Sequence, residues 1–407
     1  MSTGAPRPGR PHLAHSVESL SREPNSLASH YSAFRVHERL LLTGHSHQAW
    51  PDAGFEGQKR AWLDAAELLD GKWGRVAEKV ERVADGYRAL MGGCDGDVTL
   101  ESNTHGLVVR FLSALPLRER PRIVTTAGEF HSIRRQLDRL AEEGLEVVRV
   151  PVRPVDTLAE RVAAEIDDRT AAAMVSSVLY ASGLVVPGLS AVAGAAARHG
   201  AELLVDAYHS LGAVPFSVDG LESAFVVGGG YKYLQLGEGA CAMRVPPSCT
   251  LRPVVTGWFS EFAELEAPKE PGAVPYGAGP DRFAGSTYDP TSAYRAAAVM
   301  DFWADEGLTA DFLREVSRHQ VGLLLETFRA LDLDPAVVRV LDDVPEDGRG
   351  GFLALEAPDA GGLFEKLLAR GVRTDHRTTV LRFGPAPYLA DAQLVDAMEA
   401  LAEAVAE

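Results

Sequence analysis

A lysine and an aspartate at the ends of two successive strand-like runs are the residues of this chain best placed for covalent chemistry. Lys232 lies in Gly228-Gly229-Gly230-Tyr231-Lys232-Tyr233, directly after the apolar run Phe225-Val226-Val227, where a strand would run into a glycine turn. Twenty-six residues earlier, Glu202-Leu203-Leu204-Val205 ends in Asp206-Ala207-Tyr208-His209. A lysine amine can condense with a carbonyl, and a carboxylate can hold a ring nitrogen protonated so that the ring accepts an electron pair. These are the two anchors that pyridoxal phosphate requires, with Lys232 at the aldehyde and Asp206 at the pyridine nitrogen.

The elements that must position them alternate. Strands are expected at Arg122–Thr125, Leu145–Val150, Met174–Val178, Leu203–Val205 and Phe225–Val227, with helices at Ser132–Glu143 and Leu189–His199. Short β-rich runs divided by helices imply an α/β fold whose mostly parallel sheet is covered on both faces. In such sheets ligands gather at the carboxyl ends of the strands, where both anchors lie. Between Phe55 and Met91, Val76, Val80, Val83, Tyr87 and Leu90 recur at helical steps, and Gly239–Met243 reads as a buried strand. A long helix begins at Ser292, followed by an α+β pattern: strand Gly351–Leu355, helix Gly362–Arg370, strand Val380–Phe383 and helix Asp391–Ala406. Residues 1–30, rich in Pro, Gly, Ser and Arg, are expected to form a flexible arm. Residues 31–290 form the large cofactor-binding domain, whose N-terminal segment contributes to the small domain and the substrate site, and residues 291–407 form the small C-terminal domain.

The 407 residues are 46% apolar and 24% charged, as in a soluble globular enzyme. A net charge of −17 argues against nucleic acid and anionic membrane as partners, since both select basic patches. No apolar stretch approaches membrane-spanning length and no secretory signal opens the chain, so a cytoplasmic location is expected. Cys94, Cys241 and Cys249 have neither metal-type spacing nor a disulfide framework, and no metal is expected.

Val205-Asp206-Ala207-Tyr208-His209-Ser210-Leu211-Gly212-Ala213-Val214-Pro215, followed by Gly230-Tyr231-Lys232-Tyr233-Leu234, resembles the fold-type I pyridoxal-phosphate enzymes of the class V aminotransferase group. Within that group the Tyr-Lys-Tyr-Leu string is similar to that of the kynureninases, and the resemblance runs from about Leu41 to the C-terminus. It implies a large domain with a seven-stranded, mostly parallel sheet and a smaller α+β domain. It also implies that Lys232 is the covalent and proton-moving residue, that Asp206 binds the pyridine nitrogen and that His209 lies close to the cofactor. Asn103 and Thr104, opening the apolar helix at Leu107-Val108-Val109, would hold phosphate on free backbone N–H groups, with Tyr231 reaching it too. Phe130 would stack on the cofactor, with Ser132 beside it.

On the substrate side the resemblance gives Arg382 the α-carboxylate, which a planar guanidinium grips with two parallel hydrogen bonds. An arginine inside an apolar strand is costly unless paired, so an internal salt bridge is the alternative. Thr43-Gly44-His45-Ser46-His47 aligns with a loop that approaches the substrate, bringing His45 or His47, with Ser46, to the pocket. Trp258 and Thr287 would cross to a partner's active site, implying a homodimer with shared sites. Three departures touch this side. Trp258-Phe259-Ser260-Glu261 stands where kynureninases have Trp-Phe-Gly-His, Ile133 where they have aspartate, and Thr287 where they have asparagine.

Cleavage of an L-amino acid at its β-carbon is the leading expectation, either Cβ–Cγ hydrolysis or Cβ–S elimination. An aminotransferase or a decarboxylation-coupled deaminase of specialised metabolism is the alternative. Desulfurase chemistry that depends on a loop cysteine is excluded, since no cysteine follows Cys249.

Overall fold

The computed structural model describes residues 15–268 and 270–407. Its centre is a seven-stranded sheet, in the order Asp97–Glu101, Cys241–Val245, Phe225–Gly228, Glu202–Asp206, Thr170–Ser176, Arg122–Thr126, Glu146–Val150. Only Cys241–Val245 runs against the other six. Successive side chains of a strand face opposite ways, and here both faces are buried. Leu203 and Val205 enter one apolar core while Leu204 enters the other, and Val226 faces away from Phe225 and Val227 in the same manner. This is why the central strands read as unbroken apolar runs.

Most expected elements lie within a residue or two of their observed bounds, and the helices Leu189–His199 and Asp391–Ala406 match end to end. Three differ. The helical stretch between Phe55 and Met91 is two helices, Asp52–Leu68 and Lys72–Leu90, parted where Leu69 takes a φ of 48°. The strand expected at Met174–Val178 starts four residues earlier, at Thr170, because its ladder to Arg122–Thr126 begins there. The edge strand Asp97–Glu101 was not anticipated; its partner lies about 140 residues away in the chain.

The arm expected over residues 1–30 is packed from His15 onward, while residues 1–14 lie outside the described residues. Leu20, Leu27 and Tyr31 are fully buried, and His15 bonds Glu306 at 2.9 Å. Apolar side chains at those three positions have a core to enter, which composition alone does not reveal.

The C-terminal residues build an antiparallel sheet in the order Asp375–Arg377, Val380–Phe383, Leu353–Glu356, Arg339–Val340. The N-terminal Leu40–Leu41 pairs in parallel with Val372–Arg373, and Gly44 N–H donates to the Gly384 carbonyl at 2.8 Å. The 43–48 loop therefore lies against the strand that carries Arg382.

Among the described residues, no helix is long and apolar enough to cross a membrane. Among the same residues, no group of three or more His, Cys, Asp and Glu side chains could hold a metal ion.

Candidate active site

Asp206 ends its strand and Lys232 follows the next one, and the two strands are paired neighbours with Asp206 opposite Val227. The lysine turn is held tightly. Leu236 N–H donates to Gly230 O at 2.8 Å, and Arg295 Nε, from the helix Thr291–Asp305, donates to Leu236 O at 2.6 Å. Tyr31 donates its hydroxyl to Gln235 Oε1. The glycines before the lysine are there for close approach: a Cβ on Gly229 would lie 2.1 Å from the Tyr208 hydroxyl, and one on Gly230 would lie 2.5 Å from the Leu236 side chain.

A cavity of about 320 Å³ opens at these strand ends. Asn103, Thr104, Phe130, Ser132, Asp206, His209, Tyr231 and Lys232, all singled out in the sequence, line it together. Lys232 is 4% exposed. Its Nζ lies 3.0 Å from His209 Nε2, 4.5 Å from the Tyr208 ring centre and 4.9 Å from that of Phe130. Burial lowers the amine pKa to about 7, with Asp206 pulling the other way. Burial, and then the Lys232 charge, drive His209 well below its ordinary value, so the imidazole is neutral. Burial raises the Asp206 carboxyl, while the Tyr208 N–H (2.8 Å from Oδ1) and Lys232 favour its charged form.

At the other end of the cavity the helix Thr104–Ala114 presents its N-terminus. Asn103 caps it, accepting from Gly106 N–H at 2.9 Å. Thr104 Oγ1 is buried, and among the described residues only the Cys241 thiol, a weak partner, is near enough to serve it.

The remaining candidates lie outside this cavity. Arg382 is 2% exposed and has resident partners. Its Nε donates to Asp375 Oδ1 at 2.8 Å, Nη2 donates to Asp375 Oδ2, and Nη1 donates to Tyr180 O. The internal salt bridge weighed against a substrate role is thus present, because burial forbids an unpaired guanidinium. Three of its five N–H donors are used, leaving one on each Nη. His45 stands behind this pair, 2.7 Å from Asp375 Oδ1, rather than on the cavity wall; burial and Arg382 lower it to about 4. Ser46 does not reach the cavity either; its hydroxyl lies 3.2 Å from His47 Nδ1, and it is His47 that stacks on Tyr231, with ring centres 4.9 Å apart. Trp258 Nε1 donates to Thr287 Oγ1 at 3.2 Å, on the surface away from the cavity.

Sequence reasoning missed Tyr208, Asp375 and Glu129. Tyr208 stood within the Asp-Ala-Tyr-His string and signalled nothing by type. Asp375 faces Arg382 across a hairpin, a register that Thr378-Thr379 at the turn does not announce. Glu129, beside Phe130, is a 2% exposed acid among neutral donors.

Two sequence families match. The class V aminotransferase family ("Aminotransferase class-V") covers residues 99–257, and the "Kynureninase C-terminal domain" covers residues 313–401. The chain is 28% identical to a kynureninase of Pseudomonas fluorescens over 79% of its own length and 78% of that protein's. It is 27% identical to one of Burkholderia pseudomallei over 89% and 88%. Among solved structures, the cystine C-S lyase C-DES in complex with its product cysteine persulfide superposes with a TM-score of 0.78, at 16% identity, covering 92% of this chain and 99% of that one. The apo cysteine desulfurase of Thermococcus onnurineus gives 0.76 at 17% identity, covering 91% and 95%. These structures share the fold, and the sequence matches, which span both halves of the chain, carry the likeness: the chain is kynureninase-like, similar to the class V aminotransferase superfamily, whose fold-type I enzymes depend on pyridoxal phosphate.

Proposed function

We propose that the chain holds pyridoxal phosphate in this cavity and cleaves an L-amino acid at its β-carbon, by Cβ–Cγ hydrolysis or by loss of a thiol from Cβ. The observation that carries this reading is a lysine amine, buried and only partly protonated near neutral pH, enclosed by the Phe130 and Tyr208 rings with a buried carboxyl beyond it. The cavity residues fit the cofactor at three points. The buried, weakly partnered Thr104 hydroxyl and the adjacent helix N-terminus suit a phosphate, Asp206 suits a protonated ring nitrogen, and Lys232 suits an aldehyde.

When bound, the cofactor supplies that aldehyde and a ring able to spread the electron pair left at Cα. The rest falls to side chains. Lys232 Nζ takes the Cα proton and returns it later; burial keeps the amine from carrying a fixed charge, and the neutral His209 imidazole lies 3.0 Å away as its hydrogen-bond partner. Asp206 stays ionised against the ring nitrogen. The two N–H groups left on Arg382 receive the substrate carboxylate end-on, while Asp375 fixes the other edge.

A homodimer with shared sites belongs to the same reading. Trp258, Phe262 and Tyr288 are 42, 55 and 40% exposed, and Trp258 stacks on Phe259 at 4.4 Å. An aromatic surface of that kind is typical of a covered interface, which supports a second copy covering Trp258 and Thr287.

Product analysis by mass spectrometry, with L-kynurenine and with S-substituted cysteines, decides the chemistry. Anthranilate and alanine establish Cβ–Cγ hydrolysis. Pyruvate, ammonia and a free thiol establish β-elimination, and conversion of the cofactor to its amine form overturns the proposal in favour of transamination.

Two variants test the anchors. Asp206→Ala is expected to retain cofactor while losing about 10³-fold in kcat, the scale on which one preorganised electrostatic contact is felt; unaltered turnover would remove Asp206 from the site. Thr104→Val trades the hydroxyl for a methyl group of similar size. It should weaken cofactor binding roughly tenfold to a hundredfold, as expected for one hydrogen bond to a charged acceptor. Equilibrium dialysis against pyridoxal phosphate measures it, and unchanged affinity would take Thr104 off the phosphate.

A further inference from the structure

Directly before Phe130 stands a carboxyl group that the chemistry above does not use. Glu129 is buried, and every hydrogen bond it receives comes from a neutral donor. Thr126 Oγ1 lies 2.6 Å from Oε1, the Ser176 N–H donates to Oε1 at 3.2 Å, and Ser176 Oγ lies 2.6 Å from Oε2. No salt bridge joins it to a cation among the described residues. Ser176 ends the strand next to that of Asp206 and sits directly opposite it in the ladder. The charged group that acts on Glu129 is Asp206 itself, with Lys232 beyond Asp206 and His209 and Arg382 beyond Lys232.

Two opposed influences meet at this carboxyl. Three donated hydrogen bonds favour the carboxylate, whereas burial and the neighbouring Asp206 charge favour the acid. The balance leaves the group titrating at about 7 rather than in the ordinary carboxylate range. Two carboxyls that act on each other electrostatically titrate as a pair, and the charge of one raises the proton affinity of the other.

We propose that Glu129 is a positioning residue of this site, a second buried carboxyl whose negative charge, passed through Asp206, tightens the hold on the proton of the cofactor's ring nitrogen. The proposal rests on the pyridoxal-phosphate reading. With Glu129 ionised, the ring nitrogen keeps its proton firmly; with Glu129 protonated, that hold is looser. The reaction therefore gains on the alkaline side of neutrality through a residue that touches neither substrate nor cofactor.

The test uses holoenzyme and two variants. In wild type, infrared difference spectra across neutral pH should show a protonated carboxyl stretch that disappears as pH rises, with a matching step in the visible band of the bound cofactor. Glu129→Gln should lose both and show roughly tenfold lower kcat above neutral pH at unchanged KM, equivalent to about one unit of ring-nitrogen proton affinity. Ser176→Ala, which removes a donor to the carboxylate form, should keep the stretch but move its midpoint upward. If Glu129→Gln folds poorly, the Ser176→Ala shift and the wild-type spectrum still decide. A carboxyl stretch absent from wild type, one that survives in Glu129→Gln, or a cofactor band that titrates alike in both overturns the proposal. Failure of the protein to bind pyridoxal phosphate at all would instead overturn the reading of the cavity.

Discussion

Lys232→Ala should cost at least about 10⁴-fold in turnover, the upper range for a residue that moves the proton at the reacting carbon, or about 5.5 kcal/mol of barrier. Borohydride reduction of wild type should attach the cofactor irreversibly to Lys232, seen as a mass increase on its tryptic peptide. The variant should release its cofactor on dialysis. A yellow colour that survives reduction and dialysis unchanged in the variant would place the covalent link elsewhere. The same substitution carries a stability signature of opposite sense. Burial lowers the folded-state pKa of Lys232 to about 7, against about 10.4 in an unfolded chain. The unfolded state thus binds the extra proton between those values, and its grip destabilises the cofactor-free fold. That penalty is complete below about pH 7 and fades as pH climbs towards the unfolded value. Cofactor-free wild type should therefore gain stability relative to Lys232→Ala between pH 7 and pH 10, a trend that thermal melts at several pH values can read.

The second large effect separates catalysis from folding at one ion pair. Arg382→Ala removes two hydrogen bonds to a substrate carboxylate, each worth about 1.5–3 kcal/mol. It should lower kcat/KM by about 10²–10³-fold or more, chiefly through KM. Asp375 then loses the Arg382 guanidinium but keeps His45 at 2.7 Å and Arg377 Nη2 at 3.3 Å. The Arg382 charge is one of the two largest causes holding His45 down, so its removal lets the imidazole take a proton beside Asp375. The His45 pKa then rises from about 4 towards its unfolded value, so the stability wild type loses in acid, where the unfolded chain protonates this histidine first, is smaller in the variant. The variant's deficit in melting temperature relative to wild type should accordingly be smaller at mildly acidic than at alkaline pH. Asp375→Ala does the reverse, leaving a guanidinium buried with no anion, and should cost about 3–5 kcal/mol of stability at neutral pH. Equal melting temperatures for the two variants across pH would mean that His45 does not compensate. An unchanged KM in Arg382→Ala would remove Arg382 from the substrate.

What could be read from the chain beforehand follows from how local each feature is. Lys232 and Asp206 each close an apolar run, and the periodicity that reveals the strands also reveals their ends. The Leu189–His199 helix ends at Gly200, a left-handed glycine that marks its own stop. The edge strand Asp97–Glu101 carries acids at both ends and becomes a strand only by pairing with distant Cys241–Val245. The Asp375–Arg382 contact depends on a hairpin register, and the burial of Leu20 and Leu27 depends on partners hundreds of residues away. Glu129 was hidden differently. It lies three residues beyond the strand Arg122–Thr126, and nothing in its neighbours' types shows that it receives only neutral donors.

The docking of the first described segment has a consequence for biosynthesis. Val36 and Arg39 offer their carbonyls to Gln393, Asn25 donates to Pro387 O, and Leu40 pairs with Val372. During synthesis residues 25–40 thus wait for residues 372–393. At ~5–20 residues per second that interval is some tens of seconds, during which Leu20, Leu27 and Tyr31 have no surface to enter and are natural clients for a chaperone. The nascent chain can meanwhile complete the strand ends that carry Asp206 and Lys232. The cofactor half of the cavity, drawn from residues 102–241, thus exists in the growing polypeptide well before Arg382 has been synthesised.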